Sequence, residues 1–325
     1  MAKKDKIWKS VIFTGYECNN HCRFCMEQDK RNLPIRTAME VKKEIAAAKK
    51  RGSTYLELIG GETTIRPDFA DIVGFAKKVG FKTIMIATNG RMFSYKPVAE
   101  SLIDAGINSV VFSIHGHTAK IHDYLTQVPG SFDQLKKGLA SIRSIIKRKN
   151  LKMHLGSNTT VVKQNYPYLP QIGKFILDQG IKDSEFIFVD CNEGGARRYF
   201  EELVPKISEA APFIRQCLDI GQKAGALHWD IRYVPLCYFP DHLHRISELH
   251  EIKIFNTEHI AQVFVDFDAL ESRKRWARKK TLRCQGCALY NSCEGIWMEY
   301  LKRYGDEEFS PVKTISKRQK KMLDS

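Results

Sequence analysis

Three cysteines, Cys18, Cys22 and Cys25, lie close together with the spacing C-x3-C-x2-C. Three thiolates on one short loop can converge on one inorganic centre. An iron–sulfur cube has four irons, so three cysteines leave one iron able to take an exchangeable ligand, which is a catalytic feature. A structural zinc ion would require a fourth ligand. His21 is at hand, but its place between Cys18 and Cys22 makes a tetrahedral set strained. A second group, Cys284, Cys287 and Cys293, has the spacing C-x2-C-x5-C, with Cys237 upstream in the run Val234-Pro235-Leu236-Cys237. Four thiolates are enough to close a site, either as an iron–sulfur cluster or as a zinc ribbon. Of the remaining cysteines, Cys217 sits in an apolar helical pattern and reads as packing. Cys191 reads as a buried thiol, although its place after a strand would let it contact a substrate.

A regular scaffold is needed to bring such residues together, and the sequence supplies one. Short β-branched runs at 11–14, 55–59, 83–87, 109–114, 154–161 and 185–189 predict six strands. Between them, 38–51, 68–79, 98–105, 132–149 and 168–179 carry apolar residues three and four apart and predict helices. Gly52, Gly80, Gly106 and Gly180 follow helices, where a left-handed terminating residue suits glycine, and a strand begins soon after each. Strands alternating with helices pair in parallel, as an open doubly wound sheet or an incomplete barrel. In either layout the chemistry gathers beyond the carboxyl ends of the strands. The cysteine loop follows the first strand, Gly60-Gly61-Glu62 the second, Thr88-Asn89-Gly90 the third and Ser113-Ile114-His115-Gly116 the fourth, while Asn158 and Thr160 alternate on the fifth. His117 and His122 read as loop residues, because no second ligand spacing accompanies them.

The cysteine loop, with Phe24 before its last cysteine, resembles the cluster motif of the radical S-adenosylmethionine (SAM) enzymes, and the other segments recur in that family's order over about residues 10–190. The resemblance implies an α/β fold, a partial (β/α)6 TIM-type barrel, and so chooses between the two layouts. It implies a [4Fe-4S] cluster with an exchangeable iron on Cys18, Cys22 and Cys25, and SAM as the second cofactor. By the same resemblance Gly60, Gly61 and Glu62 meet the methionine amino group, Ser113 lies near the ribose and carboxylate, Asn158 meets the ribose hydroxyls and His115 lies nearer the substrate. Asn89 is either a turn-shaping residue or part of the site. Thr63 stands where the family usually has proline. The later cysteines resemble the twitch and SPASM auxiliary-cluster domains, so Cys237, Cys284, Cys287 and Cys293 are expected to hold a second [4Fe-4S] cluster in preference to zinc. Trp297 occupies the place of a further SPASM cysteine, which argues against a third cluster.

Length and composition agree with a folded enzyme. The chain has 325 residues, 43% hydrophobic and 27% charged, which excludes collagen-like, disordered and coiled-coil classes. No apolar run is long enough to cross a bilayer or to direct secretion, so a cytoplasmic protein without a membrane partner is expected. The domains are expected at 1–215, the barrel, and 216–325, a smaller cysteine-rich auxiliary domain with a basic, mobile tail from Lys313 onward. Only about ten residues precede the first strand, so no leader-binding domain is expected there. The net charge is +15, with +12 in residues 1–215 and +3 in 216–325. Such a field favours anionic partners, including an acidic electron donor such as flavodoxin or ferredoxin, or RNA. A run of seven cations in residues 273–283, interrupted by Trp276, reads as a solvated face or such a docking surface. The expected function is hydrogen abstraction from a peptide or peptide-derived substrate, or another small molecule, by a radical made from SAM. The alternatives are tRNA or nucleotide modification, and a non-catalytic zinc-stabilised RNA-binding protein.

Overall fold

All six strands expected from the sequence form, and they line up in chain order. The computed structural model describes residues 6–226 and 228–324; the first five residues of the basic start, and Ser325 at the end of the tail, lie outside the described residues. Strands β1 (Ile7–Phe13), β2 (Tyr55–Ile59), β3 (Thr83–Thr88), β4 (Ser109–Ser113), β5 (His154–Val161) and β6 (Asp183–Phe188) pair in sequence, all parallel. Helices α1 (Ala38–Lys50), α2 (Phe69–Lys78), α3 (Lys96–Ala105), α4 (Ala119–Thr126), α5 (Ser131–Lys149) and α6 (Leu169–Asp178) connect them. A capping box starts α1: the Thr37 hydroxyl accepts from Glu40 N at 3.2 Å and the Glu40 carboxylate accepts from Thr37 N at 2.7 Å. One side of the sheet packs on the helices through Ile12, Leu56, Leu58, Ile84, Ile86, Val110 and Phe112, all essentially buried.

After α7 (Gly194–Arg198), α8 (Phe200–Leu203) and α9 (Ile207–Lys223) the βα pattern does not end where the sequence suggested. Two further parallel strands follow, β7 (His228–Arg232) beside β6 and β8 (Phe255–Ile260) beside β1, with α10 (Ser247–Ile254) between them. A short antiparallel strand, β9 (Val265–Asp266), extends the sheet beyond β8 to give the order β7-β6-β5-β4-β3-β2-β1-β8-β9. The partial barrel thus has eight parallel strands, and it stays open because β7 and β8 do not pair; α10 packs against both across the seam. The apolar signature failed for β7 and β8 because Asp230, Arg232, Thr257 and His259 occupy their lumen-facing positions and Glu258 their outer face.

The remaining elements are short: α11 (Ala269–Ser272), β10 (Arg278–Lys279) paired antiparallel with β11 (Ile296–Trp297), α12 (Met298–Tyr304) and α13 (Lys317–Asp324). The last corrects the expectation of a mobile tail. Ser316 and Gln319 cap α13 reciprocally, Gln319 Nε2 donates to Pro240 O at 2.8 Å, and Lys253 Nζ donates to Met322 O at 3.0 Å. Among the described residues, no helix is long and apolar enough to cross a membrane.

Glu258 fastens the late strand β8 to the start of the chain. Its carboxylate is fully buried and accepts from Ser10 Oγ at 2.6 Å and from Arg51 Nε and Nη2 at 2.9 and 2.8 Å. Removing the cation alone strands a buried carboxylate, so Arg51→Met should destabilise the protein by about 3–5 kcal/mol, and adding Glu258→Gln should recover most of that loss. Urea unfolding of the two variants checks this; equal stability of both would contradict it.

Candidate active site

The loop from Thr14 to Cys25 leaves β1 at the carboxyl end of the sheet and is fastened mainly by backbone. Gly61 N donates to Gly15 O at 2.9 Å and Glu62 N to Glu17 O at 2.7 Å, so the turn after β2 lies directly on it. A Cβ at Gly60 would stand 2.1 Å from Gly15 O, and one at Gly61 2.0 Å from Glu17 O. Only glycine allows this approach. On the far side His21 N donates to Thr126 O and Arg23 N to Leu125 O at the end of α4, while Gly195 N donates to Cys25 O at 2.9 Å. The glycines after β2, expected to make room for a ligand, therefore also make room for the cysteine loop.

Side chains from the end of β3 complete the clamp. Asn89 Nδ2 donates to Asn19 Oδ1 at 2.7 Å and lies 3.9 Å from Cys18 Sγ, and Arg91 Nη1 donates to Asn19 O and to Asn20 Oδ1. Glu62 is 2% exposed, and its carboxylate accepts from Thr64 N, Thr64 Oγ1 and Thr88 Oγ1 on Oε1 and from Asn89 N on Oε2. Oε2 accepts one bond and keeps capacity for another donor. Burial nonetheless holds the Glu62 carboxyl above its ordinary range.

Cys18, Cys22 and Cys25 line one cavity of about 1280 Å³ together with Phe24, Gly60, Gly61, Glu62, Ser113, His115, Asn158 and Thr160. Ser113 and Asn158 are register partners across β4 and β5, and neither side chain makes a hydrogen bond among the described residues. Phe24 packs edge-on against His115, with ring centres 4.8 Å apart. His115 Nδ1 accepts from Thr160 N, and His122, which reads as a loop residue in the sequence, is buried in α4 where its Nδ1 accepts from His115 N. Burial keeps both rings neutral, lowering His115 to about 3 and His122 to about 4. With Nδ1 accepting, each neutral ring carries its proton on Nε2.

The donor set fits an iron–sulfur centre. All nine cysteines are free thiols. Burial pushes Cys18 up to about 11 and Cys22 higher still, because the low dielectric opposes an unaccompanied thiolate; a cationic metal core supplies the missing compensation. Cys237, Cys284, Cys287 and Cys293 come together around a second, small cavity of about 30 Å³, lined also by Leu289, Phe309, Lys280 and Arg283. Burial, followed by repulsion from the other three sulfurs, pushes Cys237 up to about 12. Among the described residues, no three His, Cys, Asp or Glu side chains close on a single metal ion. Cys191 and Cys217 are both buried in the core.

The basic run 273–283 is not one surface. Arg273 makes a bidentate pair with Glu294 at 2.8 and 3.0 Å, and Arg278 pairs with Glu294 and Glu248 while lying over the rings of Trp297 and Tyr233. Charge spacing alone could not show that acidic residues 16 to 30 positions away draw these two arginines inward. Lys274, Lys279 and Arg283 remain at the surface. Sequence reasoning also missed Arg91 and Gly194-Gly195. The glycine pair was the available signal, since it follows β6 as Gly60-Gly61 follows β2: a Cβ at Gly194 would stand 2.4 Å from Cys25 O and one at Gly195 1.9 Å from Arg23 O.

Comparison with known proteins agrees with this geometry. A model of the radical SAM superfamily matches residues 12–172. A probable GTP 3',8-cyclase of Saccharolobus islandicus is 31% identical over 225 residues, 69% of each chain. An AdoMet-dependent heme synthase of Methanosarcina barkeri is 29% identical over 150 residues, 46% of this chain and 41% of the synthase; the chain thus spans less than half the length of that relative. Among solved structures, Streptococcus suis SuiB bound to precursor peptide SuiA superposes with a TM-score of 0.65 over 96% of this chain and 75% of SuiB, at 17% identity. SuiB has also been solved with S-adenosylmethionine.

Two outcomes test the clamp. Gly195→Ala should destabilise the apoprotein by about 1–3 kcal/mol through overpacking against the cysteine loop, whereas Gly74→Ala in α2, where a Cβ meets nothing within 4 Å, should be neutral or stabilise by about 0.5–1 kcal/mol. Urea unfolding at one pH decides between them. Because unfolding frees His115 and His122 to protonate from about pH 6.5, the stability due to their neutral forms is complete above that pH and is lost as pH falls toward their folded values. His122→Gln, which keeps an acceptor and cannot titrate, should flatten the decline of the urea midpoint between about pH 6.5 and pH 4.

Proposed function

Since the chain belongs to the radical SAM superfamily and is a radical SAM enzyme, we propose that it binds SAM at the cysteine-lined mouth of the barrel and abstracts hydrogen from a peptide or peptide-derived substrate. The observation that carries the reading is the convergence of Cys18, Cys22 and Cys25, the turn after β2, Ser113 and Asn158 on one cavity at the strand ends. In this assignment Cys18, Cys22 and Cys25 hold the [4Fe-4S] cluster. Bound there and reduced, such a cluster would supply the one-electron reduction that cleaves SAM.

The chain's own groups bind and orient. The free lone pair on Glu62 Oε2 accepts a hydrogen bond from the methionine amino group, while Thr64, Thr88 and Asn89 fix the carboxylate. Ser113 and Asn158 offer a hydroxyl and an amide to the ribose and carboxylate oxygens. Phe24 and His115 wall the site, and His115 presents only an Nε2–H, so it donates and takes no proton at neutral pH. Cys237, which follows β7, and Cys284, Cys287 and Cys293, in the short elements that follow the sheet, are assigned a second [4Fe-4S] cluster. Four thiols gathered around one cavity are enough to close such a cluster.

A peptide substrate is supported by likeness in fold to SuiB across 96% of this chain, with a precursor peptide bound there. A nucleotide substrate is the second reading, favoured by the 31% identity to a probable GTP cyclase and by the +15 charge. The inward turn of Arg273 and Arg278 takes two of the seven cations of the 273–283 run away from any RNA-binding surface. An acidic electron donor would meet the cations left outside, among them Lys274, Lys279 and Arg283. Reduced, reconstituted protein should release methionine and 5′-deoxyadenosine, Cys22→Ala should abolish the release, and a deuterated true substrate should transfer label into 5′-deoxyadenosine. Retention of SAM cleavage by Cys22→Ala would refute the assignment of the cluster.

A further inference from the structure

Asn89 follows β3 directly and touches both the turn after β2 and the cysteine loop, and it is buried. Its backbone N–H donates to Glu62 Oε2 at 2.6 Å. Its side-chain Oδ1 accepts from Arg91 N at 3.0 Å, and that bond decides which way the amide faces. Nδ2 is thereby turned to the cysteine loop, where it donates to Asn19 Oδ1 at 2.7 Å and points at Cys18 Sγ from 3.9 Å.

Cys18 differs in this from its two neighbours. Its sulfur also accepts from Asn20 N at 3.3 Å, whereas among the described residues the sulfurs of Cys22 and Cys25 take no side-chain hydrogen bond. The segment that carries these contacts is held from outside, because Arg91 Nη1 donates to Asn19 O and to Asn20 Oδ1. The turn after β3 needs only the bond from Arg91 N to an oxygen, which an aspartate would accept equally. It does not need an amide nitrogen buried against a thiol. Donors aimed at a sulfur matter when that sulfur carries charge. Reduction of an iron–sulfur cluster adds one negative charge that its sulfurs share, so N–H groups directed at them favour the reduced state and raise the potential.

We propose that Asn89 is a positioning residue that acts through Cys18: its side-chain N–H raises the reduction potential of the cluster, while its backbone N–H separately fixes Glu62. The inference rests on the reading that Cys18, Cys22 and Cys25 hold a [4Fe-4S] cluster. The step it acts on is the uptake of one electron by the oxidised cluster from an external reductant. No bond of the protein forms or breaks, and the two contacts use different nitrogens of one residue.

The test is a redox titration of the reconstituted full-length protein with dithionite, without SAM, followed on the electron paramagnetic resonance signal that Cys22→Ala removes. Asn89→Leu is close to asparagine in size and has no donor. It should keep iron content near the parent and lower the midpoint, so that the reduced fraction at a fixed potential falls about threefold to tenfold, as loss of one hydrogen bond implies; tenfold corresponds to about 59 mV for one electron. Asn89→Asp keeps the acceptor for Arg91 N and puts a carboxylate where the donor was, so it should lower the midpoint further. Thr88→Val is the reverse case. It removes a donor to Glu62 and none to the sulfur, so it should weaken calorimetric SAM binding with the SAM-free midpoint at the parent's value. A midpoint in Asn89→Leu equal to the parent's would overturn the proposal. Failure of both Asn89 variants to load iron would overturn it as well, since the amide would then be scaffold. A parent that takes up no four-iron cluster on these cysteines sinks the cluster reading and this inference with it, whereas a loaded parent with an unmoved midpoint in Asn89→Leu sinks the tuning alone.

Discussion

The cysteine loop is held between two backbones that come closer than any β-carbon permits. Gly60 and Gly61 press on Gly15 and Glu17 from the β2 side, and Gly194 and Gly195 press on Cys25 and Arg23 from the β6 side. Hydrogen bonds from Gly61, Glu62 and Gly195 to the loop carbonyls fix the separation. This contact decides the rest of the site. It sets where the three sulfurs stand relative to the strand ends, and it leaves the side chains of Ser113, Asn158 and His115 to face the cavity instead of supporting the loop. Glu62 links the two functions, since its backbone N–H holds Glu17 O while its carboxylate is fixed from β3 by Thr88 and Asn89. A carboxylate so tied has its direction set before any ligand arrives, which lowers the ordering cost of binding one.

Much of this was legible from residue types. The period of the apolar residues located β1 to β6, and the position rule for parallel sheets sent attention to the strand ends and the segments after them, where the cysteines, Glu62 and Ser113 stand, with Asn158 on β5 beside Ser113. The grouping of Cys237 with Cys284, Cys287 and Cys293 was also readable, although some fifty residues separate them. What could not be read has a common physical cause. Apolar periodicity reports burial against hydrocarbon, and it is silent where buried positions are polar. β7 and β8 present Asp230, Arg232, Thr257 and His259 to a polar lumen, so they did not look like strands. Arg273 and Arg278 looked like surface because their partners, Glu248 and Glu294, are distant in sequence. Gly61 was read as making room for a ligand and Gly195 was not read at all, whereas both are required by the cysteine loop that lies against them.

The open seam and the charged lumen belong together. In a closed barrel β7 and β8 would exchange backbone hydrogen bonds; here α10 occupies that position, and Glu251 bonds both to Lys9 on β1 and to Arg232 on β7. The two cations hold Glu251 ionised, well below the usual carboxylate range, despite its burial. An ion-paired seam resists water less than a ladder of backbone bonds and keeps the lumen polar, which apolar closure would not. Buried ion pairs of this kind are weak contributors to net stability, because desolvation offsets most of the attraction.

The second cysteine group is joined to this lumen by a stack of rings and charges. Tyr233, which lines the main cavity, meets Trp297 edge-on with ring centres 5.0 Å apart, and the Arg278 guanidinium lies 4.2 Å from the Trp297 ring centre and 4.9 Å from that of Tyr233. Glu294, next to Cys293, pairs with both Arg273 and Arg278, and Tyr233 N donates to Glu248. A shift at the cysteine turn therefore cannot occur without disturbing a packed cation between two rings at the cavity wall. The notable residue is Trp297. In the sequence it stands where a further cysteine would follow in the longer auxiliary pattern; in the fold its ring is spent on Arg278. The Trp297 indole thus packs the segment after Cys293 against the cavity wall through Arg278 and Tyr233.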